Sequence, residues 1–152
     1  MSAPDPAVDP AATLAWLVDD RAVARVMVDY ARGIDRRDFD LVRSLYLPDA
    51  FIKGTSFEGS RDEYLDILFP GVRRYPVTQH FLGNQTRDLE GERAWTETYL
   101  IAHHFADPEG KVESLIMGVR YQDQLERQEL GRWAIRRRDV FCDWQRVGEP
   151  VA

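Results

Sequence analysis

The second half of this chain constrains its fold more than any other feature. From Val77 onward it holds four long segments rich in β-branched and aromatic residues: Val77 to Thr86, Glu92 to Ala106, Val112 to Gln128 and Arg132 to Trp144. Turn signals separate them at Glu90-Gly91, Asp107-Pro108-Glu109-Gly110 and Leu130-Gly131. Connections this short join antiparallel neighbours, because a parallel crossover needs about a dozen residues or more. The spacing therefore predicts a meander of long antiparallel strands.

The first half has helical periodicity instead. Val23, Val26, Met27, Tyr30 and Ile34 recur on one face and predict a helix from about Asp19 or Asp20 to Ile34, capped by Asp20 and loosened at its last turn by Gly33. Asp38 caps a second helix whose apolar side is Phe39, Leu41, Val42, Leu45 and Tyr46. Pro48-Asp49 is expected to break the chain before a short strand at Ala50 to Lys53. Ser60-Arg61-Asp62-Glu63 is a capping box opening a third helix, with Pro70-Gly71 ending or kinking it. Helices first and strands second define an α+β fold: a cone-shaped, curved antiparallel sheet with three N-terminal helices packed on one face. The mouth of such a cone is a natural pocket. The length of 152 residues fits a single domain, read here as residues 13–148 between a flexible arm (1–12) and a tail (149–152).

A formal net charge of -6 argues against a nucleic-acid partner, since phosphate binding needs a basic surface. The run Arg136-Arg137-Arg138 reads as a solvated or subunit-facing strand edge. The single cysteine, Cys142, excludes an internal disulfide, fits a reducing cytoplasm and reads as an inert core thiol. No segment has the length and apolarity of a membrane span, and Met1 to Pro10 lacks the basic and apolar regions of a signal peptide.

Chemistry enters through Asp35 and the histidines. Asp35 follows the apolar stripe of the first helix, and a carboxylate on a buried face is costly unless something pairs with it. His80, in Val77-Thr78-Gln79-His80-Phe81-Leu82, is the side chain suited to pair with it and to move protons near neutral pH. On the next strand one parity holds Ala94, Thr96, Thr98, Leu100, Ala102 and His104, mostly small residues that leave room for a ligand. Thr98, Leu100 and His104, with Tyr30, are the expected substrate contacts. The other parity holds Trp95, Glu97, Tyr99, Ile101 and His103, as on a face that packs against a second copy in a homodimer or larger ring. Arg120 and Asp123 read as a cross-strand ion pair. His103 and His104 are adjacent and face opposite ways if extended, so only one can join His80 and Asp35; that two-histidine, one-carboxylate set is a conceivable metal site, but local ligand spacing is missing and no metal is expected. The chain has no phosphate-cradling glycine loop and no serine elbow.

Three stretches carry a family resemblance. Tyr30-Ala-Arg-Gly-Ile-Asp35-Arg-Arg-Asp-Phe-Asp-Leu resembles the first-helix signature of SnoaL-like proteins, which have the nuclear transport factor two fold (a cystatin-like α+β barrel). Thr78-Gln-His-Phe-Leu-Gly-Asn84 is similar to the histidine strand of scytalone dehydratase, and Gly118-Val-Arg-Tyr-Gln-Asp123 with Gly131-Arg-Trp-Ala-Ile-Arg136 to the closing strands of that group. The resemblance extends to bile acid 7α-dehydratase and hexachlorocyclohexane dehydrochlorinase. It implies a cofactor-free aspartate–histidine pair, Asp35 and His80 here, that removes a carbon-bound proton while a leaving group departs. It also implies a pocket tyrosine at Tyr30 and a further histidine at His103 or His104; a tyrosine beside the aspartate of scytalone dehydratase is replaced by Ile34. The expected function is a lyase of dehydratase or dehydrohalogenase type acting on a mostly apolar small molecule. The alternatives are an isomerase or cyclase of a steroid- or polyketide-like substrate, and a non-catalytic binding or dimerisation module.

Overall fold

The structure is a computed structural model that describes residues 9–105 and 113–148. In chain order the elements are α1 (Pro10–Arg36), α2 (Phe39–Ser44), β1 (Tyr46–Lys53), β2 (Glu58–Ser60), α3 (Arg61–Arg73), β3 (Val77–Glu90), β4 (Arg93–Phe105), β5 (Ser114–Arg127) and β6 (Trp133–Gly148). The six strands form one sheet in the order β2-β1-β6-β5-β4-β3. The expected meander is present, with β3, β4, β5 and β6 pairing in sequence as antiparallel neighbours. The sheet is not wholly antiparallel, because β1 lies parallel to β6 and β2 folds back on β1. That parallel pairing is reached only through the long excursion of α3 and the meander, which local sequence does not reveal.

Helices cover one side of the curved sheet. Val23, Met27, Tyr30 and Ile34 of α1 and Leu65, Phe69 and Val72 of α3 share one buried cluster with Leu100, Val119, Leu125 and Ile135 of the strands. Helix α1 is longer than its periodicity predicts. It begins at Pro10, with the Asp9 carboxylate accepting the Ala12 N–H at 2.9 Å, so residues 10–12 are helical rather than part of an arm. The extra turns have no buried face to leave a pattern: Leu14, Leu17 and Val18 are exposed at 63%, 51% and 61%. Asp20 is an anchor, not a cap, gripping Arg87 at 2.7 and 3.1 Å, while Asp19 pairs with Arg127. Residues 1–8, the turn 107–110 and the tail 149–152 lie outside the described residues.

Other boundaries also shift. Pro48 and Asp49 do not break the chain; they lie inside β1 at a register shift between Tyr46 and Phe51, where the missing proline N–H is tolerated. Pro70 and Gly71 fall within α3, which continues to Arg73. The capping box at Ser60 and Glu63 is formed as expected.

The largest departure is Arg138, which is wholly buried rather than on a solvated edge. A bulge between Gln124 and Leu125 pairs them with Arg137 and Ile135, leaving Arg136 as the extra residue. Without that slip, Arg138 and Ile135 would face opposite sides; with it, both point inward. Arg138 then makes two 2.7 Å bonds to the Asp123 carboxylate and donates to Tyr46 Oη at 3.0 Å. Its guanidinium lies 4.2 and 4.3 Å from the ring centroids of Tyr30 and Tyr121. Burial opposes this charge, and Asp123 and the tyrosines outweigh it, so the group stays protonated. The expected Arg120–Asp123 pair does not form, because residues three apart on a strand face opposite sides; Arg120 instead binds Asp143 and Glu97 on the outer face.

Removing one partner of a buried pair leaves an uncompensated charge. Asp123→Ala is expected to cost about 3–5 kcal/mol, read as a lower urea midpoint.

Candidate active site

Two elements meet at the mouth of the cone. The last turn of α1 presents Asp35, and the first inward residues of β3 are Thr78 and His80. Asp35 Oδ1 lies 2.8 Å from His80 Nδ1 and accepts from Thr78 Oγ1 at 3.0 Å. Its Oδ2 accepts the His80 backbone N–H at 2.8 Å. Burial alone would raise the pKa of Asp35; the bonds from His80 and Thr78 overcome it and hold the carboxyl below its ordinary value. An ionised carboxylate only accepts, so His80 Nδ1 carries a proton, and in the neutral tautomer of that ring Nε2 is the free base.

His80 fronts a cavity of about 590 Å³, and Asp35 stands behind it, off the cavity wall. Tyr30 and His104 also line this space, as expected. His104 pairs with Thr78 across the strands, so it shares the inward face with His80, at 6.0 Å between ring centroids. The ring is buried, and its Nδ1 has no hydrogen-bond partner among the described residues. Burial, helped by the nearby His80, lowers its pKa to about 4, so His104 is neutral at physiological pH. His103 points away and stacks on Phe105.

Thr98 and Leu100 are corrections. They face inward but lie deeper, 1% and 4% exposed, and are absent from the described cavity lining. Of the inward β4 residues only Ala102 and His104 reach the hollow. Thr98 instead accepts a hydrogen bond from Gln85 at 2.7 Å.

Sequence reasoning missed several lining residues. Tyr64 and Tyr121 both face the cavity, and burial holds their hydroxyls neutral, well above the usual tyrosine range. Tyr64 and Tyr30 approach within 3.4 Å through their hydroxyls. Cys142, expected in the core, also lines the hollow, and so does Trp144. A second β6 bulge sets Val119 opposite Cys142 and Gly118 opposite Trp144, leaving Asp143 over. Gly118 is required there, since a Cβ would lie 2.1 Å from the Trp144 indole nitrogen. Tyr64 follows the capping box at the helical spacing of Leu65, Leu68 and Phe69, a signal that could place it on an apolar face but gives that face no role. No grouping of three or more His, Cys, Asp or Glu suited to a metal ion occurs among the described residues.

The chain is thus a small α+β cone with an acid-backed imidazole at its hollow. The SnoaL-like domain family matches residues 16–139, and the chain belongs to that family. An uncharacterized protein of Mycobacterium tuberculosis is 27% identical over 133 residues, covering 86% of this chain and 90% of its own. Among solved structures, a provisionally assigned scytalone dehydratase of Novosphingobium aromaticivorans superposes with a TM-score of 0.74 at 23% identity, covering 90% of this chain and 95% of the other. The type 3 hexachlorocyclohexane dehydrochlorinase of Novosphingobium barchaimii gives 0.76 at 16% identity, covering 91% and 98%. At these identities the likeness establishes the fold.

The depressed pKa of His104 carries a stability consequence. Between the ordinary value of 6.5 and about 4 the unfolded chain binds a proton that the folded chain refuses, so stability falls as pH drops through that window. Asp35 acts elsewhere: its contribution is lost only as pH falls below the ordinary 3.8. Urea midpoints measured from pH 6.5 to 4 should decline in the native protein and be flatter in His104→Phe.

Proposed function

We propose that this protein is a cofactor-independent lyase that uses the Asp35–His80 pair to take a carbon-bound proton from a mostly apolar small molecule. The observation that carries the reading is the 2.8 Å bond from the ring to a carboxylate, with the ring at the wall of a 590 Å³ hollow. Nε2 accepts the proton as the C–H bond breaks. The electron pair forms a C=C bond, and the neighbouring C–O or C–halogen bond breaks with its electrons. Asp35 stabilises the imidazolium, which returns its proton to the departing oxygen, or to solvent when a halide leaves. Tyr64 and Tyr121, as neutral donors, are suited to a substrate carbonyl on which negative charge develops.

The substrate is read as uncharged, since no lysine or arginine lines this cavity among the described residues. The reading is supported by the names of the structural neighbours, one a provisional dehydratase and one a dehydrochlorinase. The same base with no departing group would serve an isomerase or cyclase, and the paired tyrosine hydroxyls favour that second reading, because they suit a retained enolate. No helix among the described residues is long and apolar enough to cross a membrane. With a single free cysteine, a reducing cytoplasm is the proposed setting. Trp95, Tyr99 and Ile101, exposed on the outer sheet face, are proposed to meet a second copy of the chain.

His80→Ala should lower kcat by about 10² to 10⁴ on a panel of hydroxy- and halo-ketones, with Asp35→Asn also impaired. Undiminished turnover in both would reject the mechanism. Light scattering should return a multiple of the protomer mass, reduced to a monomer by Ile101→Glu.

A further inference from the structure

Helix α1 ends in an unusual way. Arg37 follows its last turn with φ 61° and ψ 25°, the left-handed conformation. Its N–H bonds to the Ile34 carbonyl at 3.2 Å, and the Asp38 N–H to the Gly33 carbonyl at 2.9 Å. This is the Schellman pattern, whose left-handed residue is usually glycine or asparagine because a longer side chain is strained there. An arginine at that position needs a reason, and its side chain supplies one. Nη1 donates to the carbonyls of Ile34 and Asp35 at 3.0 and 3.3 Å and to Thr78 Oγ1 at 2.8 Å. Nη2 donates to the Tyr75 carbonyl at 2.9 Å. One guanidinium thus ties the end of the helix to the entry of β3.

The bond to Thr78 sets a direction. Arginine can only donate, so Thr78 Oγ1 is the acceptor in that contact. The single threonine hydroxyl proton is then committed to its other neighbour, Asp35 Oδ1, at 3.0 Å. Thr78 is 4% exposed, which limits competition from water. The same Oδ1 meets the His80 ring. A chain of oriented bonds therefore runs from Arg37 through Thr78 to the carboxylate that fixes the imidazole.

We propose that Arg37 is the positioning residue of the Asp35–His80 pair, acting through the Thr78 hydroxyl. The proposal rests on the reading of that pair as the proton-transfer site. Arg37 touches neither cavity nor substrate; it fixes where Oδ1 sits and which way the Thr78 proton points. The groups facing Asp35 are His80 and Thr78 from β3 and Arg37 from the helix end, with His104 of β4 near enough to feel its charge.

The test follows the Asp35 carboxyl carbon by ¹³C NMR titration in the native chain, Arg37→Gly, Thr78→Val, the double variant and Arg37→Lys. Glycine relieves the left-handed strain, so Arg37→Gly should keep its fold and nearly its native melting temperature. Its Asp35 titration should move to higher pH, as should that of Thr78→Val. The double variant should move no further than Thr78→Val, since both act along one path, and Arg37→Lys should recover part of the shift. With a turned-over substrate, Arg37→Gly should lower kcat while leaving KM unchanged. A folded Arg37→Gly with the native Asp35 titration, or additive shifts in the double variant, would overturn the proposal. Should glycine prevent folding, Arg37→Asn, equally at ease in the left-handed region, takes its place in every comparison. The titrations need no substrate, so they decide the role of Arg37 separately from the turnover of His80→Ala, which decides the lyase reading.

Discussion

The carboxylate of Asp35 serves two purposes. It accepts three hydrogen bonds from two residues of β3, and in doing so pins the end of α1 to the sheet at the mouth of the cone. Nearly halfway along the helix, Asp19 and Asp20 grip Arg127 and Arg87. From Asp19 to Asp35 the helix is therefore held by polar contacts at each limit and apolar packing between. The same bonds that hold the end of α1 there orient an imidazole toward the hollow. Fold and site share one set of interactions.

Below that hollow lies a second constraint. The Arg138–Asp123 pair is buried beneath tyrosine faces, and two of those tyrosines, Tyr30 and Tyr121, are also part of the cavity wall. Replacing such a pair with apolar residues is often neutral or stabilising, so stability alone is a weak reason for keeping it. Its geometric effect is clearer. The guanidinium fork holds Tyr46 by a hydrogen bond and Tyr30 and Tyr121 by their faces, so three rings converge at fixed angles. Two of them present hydroxyl-bearing rings to the hollow. An apolar core would leave those rings freer to turn.

Much of this was legible in the residues themselves. The β4 parity held without interruption, which is why His104 faces inward and Trp95, Tyr99 and Ile101 outward, as expected. The capping box at Ser60 and Glu63 and the cap at Asp38 depend on contacts within three residues, and both formed. The Asp35–His80 contact, 45 residues apart, was also anticipated, because a carboxylate beside a buried face and a histidine in an apolar strand each need a partner. Thr98 and Leu100 were misjudged because parity gives the face of a strand residue but not its depth along the cone. Arg37 was overlooked because its role arises from a left-handed turn and a strand entry that sequence separates.

The sequence by itself determined the order of elements, the strand faces where pairing ran regularly, and the acid and base that seek each other. Those follow from local periodicity and from the cost of burying a lone charge. Only the tertiary structure decided where β6 slips. Two extra residues in that strand decide it: Arg136 turns Arg138 into the core and Cys142 to the hollow, and Asp143 lays Trp144 over Gly118. A bulge is chosen by the fit of two strands far apart in the chain, and one residue of slip reverses every side chain beyond it.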